Sequence, residues 1–487
     1  MLFNSVHFLL FFPIVTLVYF IIPLRWRWLW LLAASYYFYM SWNPRYAVLI
    51  AFSTVVTWLS GLLVGRAKTA GGRRLWVALS LGLNLAVLFF FKYWGFAMGT
   101  LERLLAAANI QLAAPAFDVL LPVGISFYTF QALSYTMDVY RGEVPVEKNI
   151  LRYALFVSFF PQLVAGPIER SKNLLTQVNQ THRLDYDRLK SGLLIMGVGY
   201  FQKMVVADRA AILVDTVFGD HQSYAGPQII VAALLFAVQI HGDFAGYSSI
   251  AIGSARILGF DLMQNFRQPY LAGSIREFWQ RWHISLSTWF RDYLYIPMGG
   301  SRKGRLRTQL NTMVTFLVSG LWHGASWTFV LWGGLHGAWQ VVGNLTRAAR
   351  EALYARLRLP TKSALWRAGR VAFTFILVDF AWVLFRAPGV TAFVQIVRSA
   401  FDFSHLGAFS ITGLGLGGAE LMVLAGAVLL LAAWDFAGHR GGDTLALLGR
   451  QKTVVRWIFY YLLLYVIVRF GVFGTGYTPP EFIYFQF

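Results

Sequence analysis

The chain has 487 residues, of which 57% are hydrophobic and only 13% charged. Soluble domains carry roughly 25% charged residues, so about half the usual polar surface is missing and a soluble globular fold is excluded. Basic residues outnumber acidic ones 42 to 22, a net charge of +20, and there is no cysteine, which excludes disulfides, thiolate metal sites and a cysteine nucleophile.

The first segment, "MLFNSVHFLLFFPIVTLVYF", lacks a basic leading region and a small-residue cleavage site, so it reads as a retained helix and not as a signal peptide. A spanning helix needs about 20 apolar residues. Candidate spans lie at 5–23, 29–42, 46–65, 75–94, 118–139, 151–166, 192–218, 228–259, 311–332, 333–346, 370–386, 419–435 and 455–473. Several are too short to cross alone and read as re-entrant segments or halves of broken helices. The expected fold is an all-α polytopic membrane protein with roughly eleven crossings. A single membrane domain covers 1–487, and residues 474–487 form an outward-facing aromatic tail. The basic excess falls in short loops: "GRAKTAGGRR" (65–74), "SRKGRLR" (301–307), the stretch 347–370 and "GRQKTVVR" (449–456). The positive-inside bias accounts for it and assigns these loops to the cytosol, which argues against a nucleic-acid partner.

Polar residues interrupt the apolar pattern at five places. In "LLPVGISFYTFQALSYTMDVY" (120–140), Ser126, Thr129, Gln131, Ser134 and Asp138 punctuate one span. In "SFFPQLVAGPIER" (158–170), Pro161 and Pro167 break the helix. Such breaks either line a cavity or are ordinary kinked packing. "QIHGDFAGYSSIAIG" (239–253) carries His241 and Asp243. With His283, His323 and His336 they raise the question of a metal, but no pair has the i, i+4 spacing of a helical zinc site, and none is expected.

The fourth place is "REFWQRWHISLSTWFRDYLYIPMGGSR" (276–302). Continuous helical spacing puts Arg276, Gln280, His283, Ser287 and Arg291 on one polar stripe against Trp279, Trp282, Leu286, Trp289 and Phe290. The stripe reads either as an interfacial amphipathic helix or as the wall of a watery entrance. The fifth is "FLVSGLWHGASWTFVLWGG" (316–334), with His323 as its one ionisable side chain. A helix starting near Asn311, after a cytosolic loop, places His323 about 18 Å up at 1.5 Å per residue. That is mid-membrane in a core of about 30 Å. An intramembrane histidine marks a site, or serves as a hydrogen-bonded link between helices.

The chain ends on Tyr477, Pro479, Pro480 and "EFIYFQF". Composition favours a tail lying in the interface, with Tyr484 and the phenylalanines as anchors. The sharper alternative folds it into an outward cavity that presents the Tyr484 hydroxyl.

At "FWQRWHISLSTWFRDYLYIPMGGSR" and "LWHGASWTFVLWGGLHG" the chain resembles the membrane-bound O-acyltransferase superfamily. The resemblance is to the bacterial branch that acetylates alginate or peptidoglycan, or D-alanylates teichoic acid. "LLLAASYYFYMSWNP" (30–44), "LPVGISFYTFQALSY" (121–135), "FPQLVAGPIER" (160–170) and the terminal "FIYFQF" extend the match over most of the chain. The segment 239–253 departs from it: His241, Gly242 and Ser249 stand where an aromatic pair and an acid are expected, which leaves the branch, and hence the acceptor, open.

The resemblance implies a ring of helices around a central acyl-transfer tunnel. It gives His323 and His283 catalytic roles and makes Tyr484 an acyl relay. Trp282, Trp322, Gln131 and Ser126 would line the tunnel. The implied activity is an O-acetyltransferase of the bacterial inner membrane, with acetyl-CoA as donor met by Arg302 and Arg305. A periplasmic acetyltransferase or acceptor protein would pass the group to a polysaccharide. Neutral imidazole suits the role of base because its ordinary pKa lies near working pH. The rival readings are a transporter or flippase, for which no internal repeat is visible, and a scaffold for a periplasmic transferase.

Overall fold

The computed structural model describes residues 1–111, 121–164, 166–404, 410–442, 444–473 and 482–483. Among the described residues the backbone is helical or irregular, with no strand. Lipid offers no water to backbone N–H and C=O groups, so a crossing segment must satisfy them internally, as a helix does. Six helices are individually long and apolar enough to cross: Tyr46–Arg66, Ala70–Ala107, Pro227–Ile257, Ala364–Arg386, Gly418–Gly441 and Thr453–Phe470. Each overlaps an expected span, although Ala70–Ala107 runs well past the expected 75–94. The other segments are shorter or more polar, as with the 16 residues of Val6–Ile21 and the nine of Ile150–Ser158. The Thr453–Phe470 helix buries none of its residues and exposes Ile458, Leu462 and Leu464. Apolar surface of that extent belongs against lipid. The protein is an all-α, multi-pass membrane protein.

The chain forms two compact units, one of Met1–Met196 with Ile250–Met263 and one of Gly197–Ser249 with Gln264–Phe487. In the first, the Ile125–Arg141 helix is buried along almost its whole length. Its polar residues find partners: the Gln131 amide N–H donates to the Phe156 carbonyl at 2.6 Å, and the Ser171 hydroxyl donates to Asp138 Oδ2 at 2.6 Å. The Tyr46–Arg66 helix reaches it closely because residue 61 is glycine; a Cβ there would sit 2.6 Å from the Tyr135 ring. The expected breaks at Pro161 and Pro167 are present. The Ile150–Ser158 helix stops, a single turn follows at Phe160–Leu163, and residues 166–170 are irregular.

In the second unit the expected spans 311–332 and 333–346 are re-divided. The helix begins at Arg305, ends on His323 itself, and a new helix runs Trp327–Leu345. The break follows from local chemistry: Gly324 is extended, and the Ser326 hydroxyl caps the second helix by accepting from the Thr328 N–H at 3.3 Å. The two helices then pack as a hairpin through small residues. A Cβ at Gly320 would collide with the Phe329 carbonyl, and one at Gly333 with the Phe316 carbonyl. The hairpin is as close as it is because neither residue has a side chain.

Candidate active site

The polar stripe expected across 276–302 is also corrected. The segment is two seven-residue helices, Ile275–Arg281 and Ile284–Phe290, broken at Trp282 and His283. Arg276, Gln280 and Arg291 are exposed, whereas His283 has 0% exposure and leaves the stripe. The reason is geometric. In a continuous helix consecutive side chains diverge by about 100°, yet Trp282 and His283 are both fully buried. His283 resolves this by taking a left-handed backbone, φ 43°, which for a residue with a Cβ costs roughly 1–3 kcal/mol. Trp282 then packs on Phe266, Phe278 and Trp382 at 4.9–5.5 Å, while the His283 ring stands edge-on to Phe244 at 4.6 Å.

Asn265 supports the break. Its carbonyl accepts the Ile284 N–H at 2.9 Å, its side-chain oxygen accepts the Ser285 hydroxyl at 2.6 Å, and its amide donates to Ser248 at 3.0 Å. It is fully buried. A lone asparagine in "DLMQNFRQPY" reads as a turn former, so nothing in the sequence pointed to it.

His323 enters the same place from the end of the Arg305–His323 helix. Its ring centroid is 6.3 Å from that of His283. Trp322 lies 5.9 Å from His283 and 5.0 Å from His323. Trp332 and Phe385 close the far side of His323 at 5.0 and 5.6 Å. Two imidazoles, 0% and 3% exposed, thus share one aromatic enclosure. An aromatic enclosure of this kind keeps water out, and imidazole is a group able to accept or give up a proton in such a place.

The remaining expected residues fall as follows. Trp322 is beside both imidazoles, whereas Trp282, next to His283 in the chain, turns its ring toward Phe266, Phe278 and Trp382. Gln131 and Ser126 belong to the first unit, where both ends of the Gln131 amide are engaged, Gln162 donating to its oxygen at 2.7 Å. Arg302 is exposed in the turn before the His323 helix and Arg305 is exposed at that helix's first position. His336 is bonded in place: the Trp279 N–H donates to its Nδ1 at 3.2 Å, which leaves the ring proton on Nε2. His241 packs among the Phe266, Tyr270 and Trp282 rings, and Asp243 is 2.6 Å from the Lys203 ammonium. Among the described residues no three His, Asp or Glu side chains converge as metal ligands. Gly242, where an aromatic is expected, is closely packed: a Cβ would lie 3.0 Å from the Gln202 carbonyl oxygen.

Tyr484 lies outside the described residues, but two residues before it do not. Phe482 and Ile483 are 0% and 2% exposed, and the Ile483 N–H donates to Asp243 at 2.8 Å. The interfacial reading of the tail fails at these two positions.

Comparison with known proteins places the chain in a family. The membrane-bound O-acyltransferase family model matches residues 143–377, a stretch that contains both imidazoles. The probable alginate O-acetylase AlgI of Pseudomonas putida is 38% identical over 503 residues, covering 100% of both chains. The peptidoglycan O-acetyltransferase of Helicobacter pylori is 35% identical, covering 82% of this chain and 79% of its own. The teichoic acid D-alanyltransferase of Bacillus subtilis is 26% identical, covering 57% and 70%. With the paired imidazoles enclosed in an all-helical membrane fold, and full-length similarity of this degree, the chain belongs to the membrane-bound O-acyltransferase family and is an O-acyltransferase.

Proposed function

We propose that the protein carries acetyl groups from cytosolic acetyl-CoA toward hydroxyls of a polysaccharide outside the inner membrane, with an alginate-like exopolysaccharide as the favoured acceptor and peptidoglycan the next. The observation that supports this most is the His283–His323 pair in its aromatic enclosure. In the proposed reaction a hydroxyl oxygen attacks the thioester carbonyl, His323 takes the hydroxyl proton, the carbon–sulfur bond breaks, and the proton passes to the departing thiolate. General-base help of this kind is worth roughly 10²–10⁴-fold. His283 holds the thioester carbonyl, and the rings of Trp282 and Trp322 keep water from the acyl group. Arg302 and Arg305 meet the donor's phosphates from the cytosolic side, with His323 near mid-membrane.

Tyr484, on a tail facing the periplasm, is the first acceptor, and a periplasmic protein completes the transfer. A relay of this kind divides one difficult step into two easier ones. The test is alkali-labile acetate on exopolysaccharide and on peptidoglycan, measured separately in cells with and without the protein. Loss from one polymer alone names the acceptor. Unchanged acetate on both contradicts the proposal.

A further inference from the structure

The second unit buries an ion cluster that the mechanism above does not use. Lys203 sits in the π-helical turn Phe201–Ala207, with Asp208 directly after it. Its ammonium is 2.8 Å from Asp208 and 2.6 Å from Asp243, and all three side chains are buried. Gly242 and Gly246 on the Pro227–Ile257 helix let that turn approach, since a Cβ on Gly246 would meet the Lys203 backbone N at 2.9 Å. One ammonium shared by two buried carboxyl groups leaves acceptor oxygens that need further donors. The Ile483 N–H is such a donor, bonded to Asp243 Oδ2 while Lys203 holds Oδ1.

The aromatic contacts give this docking a direction. The Phe482 ring lies 4.7 Å from Tyr247 and 5.6 Å from Phe244, and Phe244 is the ring that stands edge-on to His283. The docked tail is therefore one aromatic ring away from a site imidazole.

We propose that Asp243 is a positioning residue: held by Lys203, it clamps the C-terminal tail at the Ile483 N–H, and the acyl transfer proposed to run through that tail depends on the clamp. The clamp itself stands on the contacts; its effect on turnover rests on the acyl-transfer reading. Asparagine at 243 cannot serve, because one end of its amide is a donor and either Lys203 or Ile483 would then face a donor.

The chain's lack of cysteine makes the test direct. A thiol at the buried tail position, Ile483→Cys, keeps the backbone N–H and reports docking by its rate of maleimide labelling in purified protein. Asp243→Asn should raise that rate tenfold or more and lower acetate transfer. Phe482→Cys offers the second route: added Ile483→Pro, which deletes the N–H and leaves the ion cluster intact, should label fast, and added Ile483→Val slowly. That pair decides the matter if Asp243→Asn fails to accumulate. His323→Ala should abolish transfer and leave labelling of Ile483→Cys slow, which separates failure of the clamp from failure of the chemistry. Slow labelling in Asp243→Asn or in the Ile483→Pro protein overturns the clamp. Fast labelling with undiminished transfer overturns the positioning role. Were the parent protein to transfer no acetate, labelling would still decide whether the clamp exists.

Discussion

His283 and His323, 40 positions apart in the chain, bring their rings within 6.3 Å of each other inside one aromatic enclosure. Each reaches it at a helix end: His323 is the last residue of its helix, and His283 caps the start of a short one from a left-handed backbone. Helix ends free the ring from the fixed i, i+4 spacing of a helical face, and a pair can then be built from distant segments.

The backbone of His283 separates its chemistry from its folding role. Asparagine tolerates the left-handed region, whereas a β-branched residue does not. His283→Asn should accumulate close to wild-type abundance with acyl transfer reduced tenfold or more. His283→Val should lose abundance as well, at a cost of about 1–3 kcal/mol or above. Quantitative immunoblotting of membranes beside an acetate assay distinguishes them, and equal abundance of both variants would contradict the strain argument.

The helical hairpin that carries His323 closes through glycine. Gly320→Ala and Gly333→Ala each press a methyl group into a backbone carbonyl of the facing helix. Overpacking of this kind costs about 1–3 kcal/mol, so both proteins should melt earlier in detergent. Gly343→Ala, on the same second helix with open space at its Cβ, should stay within roughly 0.5 kcal/mol of wild type. Thermal unfolding followed by fluorescence-detected gel filtration measures the difference.

Asn265→Ala strips the His283 break of its side-chain support and leaves Ser248 and Ser285 without that partner. Losing buried hydrogen bonds of this type costs about 1–3 kcal/mol. The expected result is lower turnover from a displaced imidazole. Asn265→Asp, which keeps the acceptor for Ser285, should be milder.

His182 lies outside the spans, against the Phe260 ring at 4.3 Å, with its Nε2 at 2.9 Å from the Gln177 carbonyl. Burial holds its pKa below the usual histidine value. The unfolded chain therefore binds the proton first as pH falls. His182 leaves stability intact above the ordinary histidine pKa of about 6.5 and erodes it from there down toward its own lowered value. His182→Gln should flatten the fall in melting temperature across that acidic window. An unchanged slope would assign the fall to other groups.

The membrane class, the six long spans and the two imidazoles are legible in the sequence, because a histidine or a proline in an apolar run stands out against its surroundings. Three features are not. The Trp282–His283 break carries no glycine or proline, and the apolar period runs through it undisturbed; burial of two adjacent rings overrides the local helix preference. Aromatic residues suit an interface and a protein core equally, so composition gives no sign that Phe482 and Ile483 dock 240 residues away on Asp243. The third is which acids meet Lys203. A lysine inside the apolar span 192–218 calls for buried acids, and Asp208 and Asp243 are they.

The central claim is that the His323 imidazole is the base for acyl transfer, and the most direct measurement is label transfer from acetyl-CoA in isolated membranes bearing wild type or His323→Gln at matched abundance. Glutamine keeps a hydrogen bond and cannot shuttle a proton. Loss of at least 100-fold is the predicted result, in line with general-base catalysis. A His323→Gln protein within twofold of wild type would contradict the account and leave the imidazole as a structural link between helices.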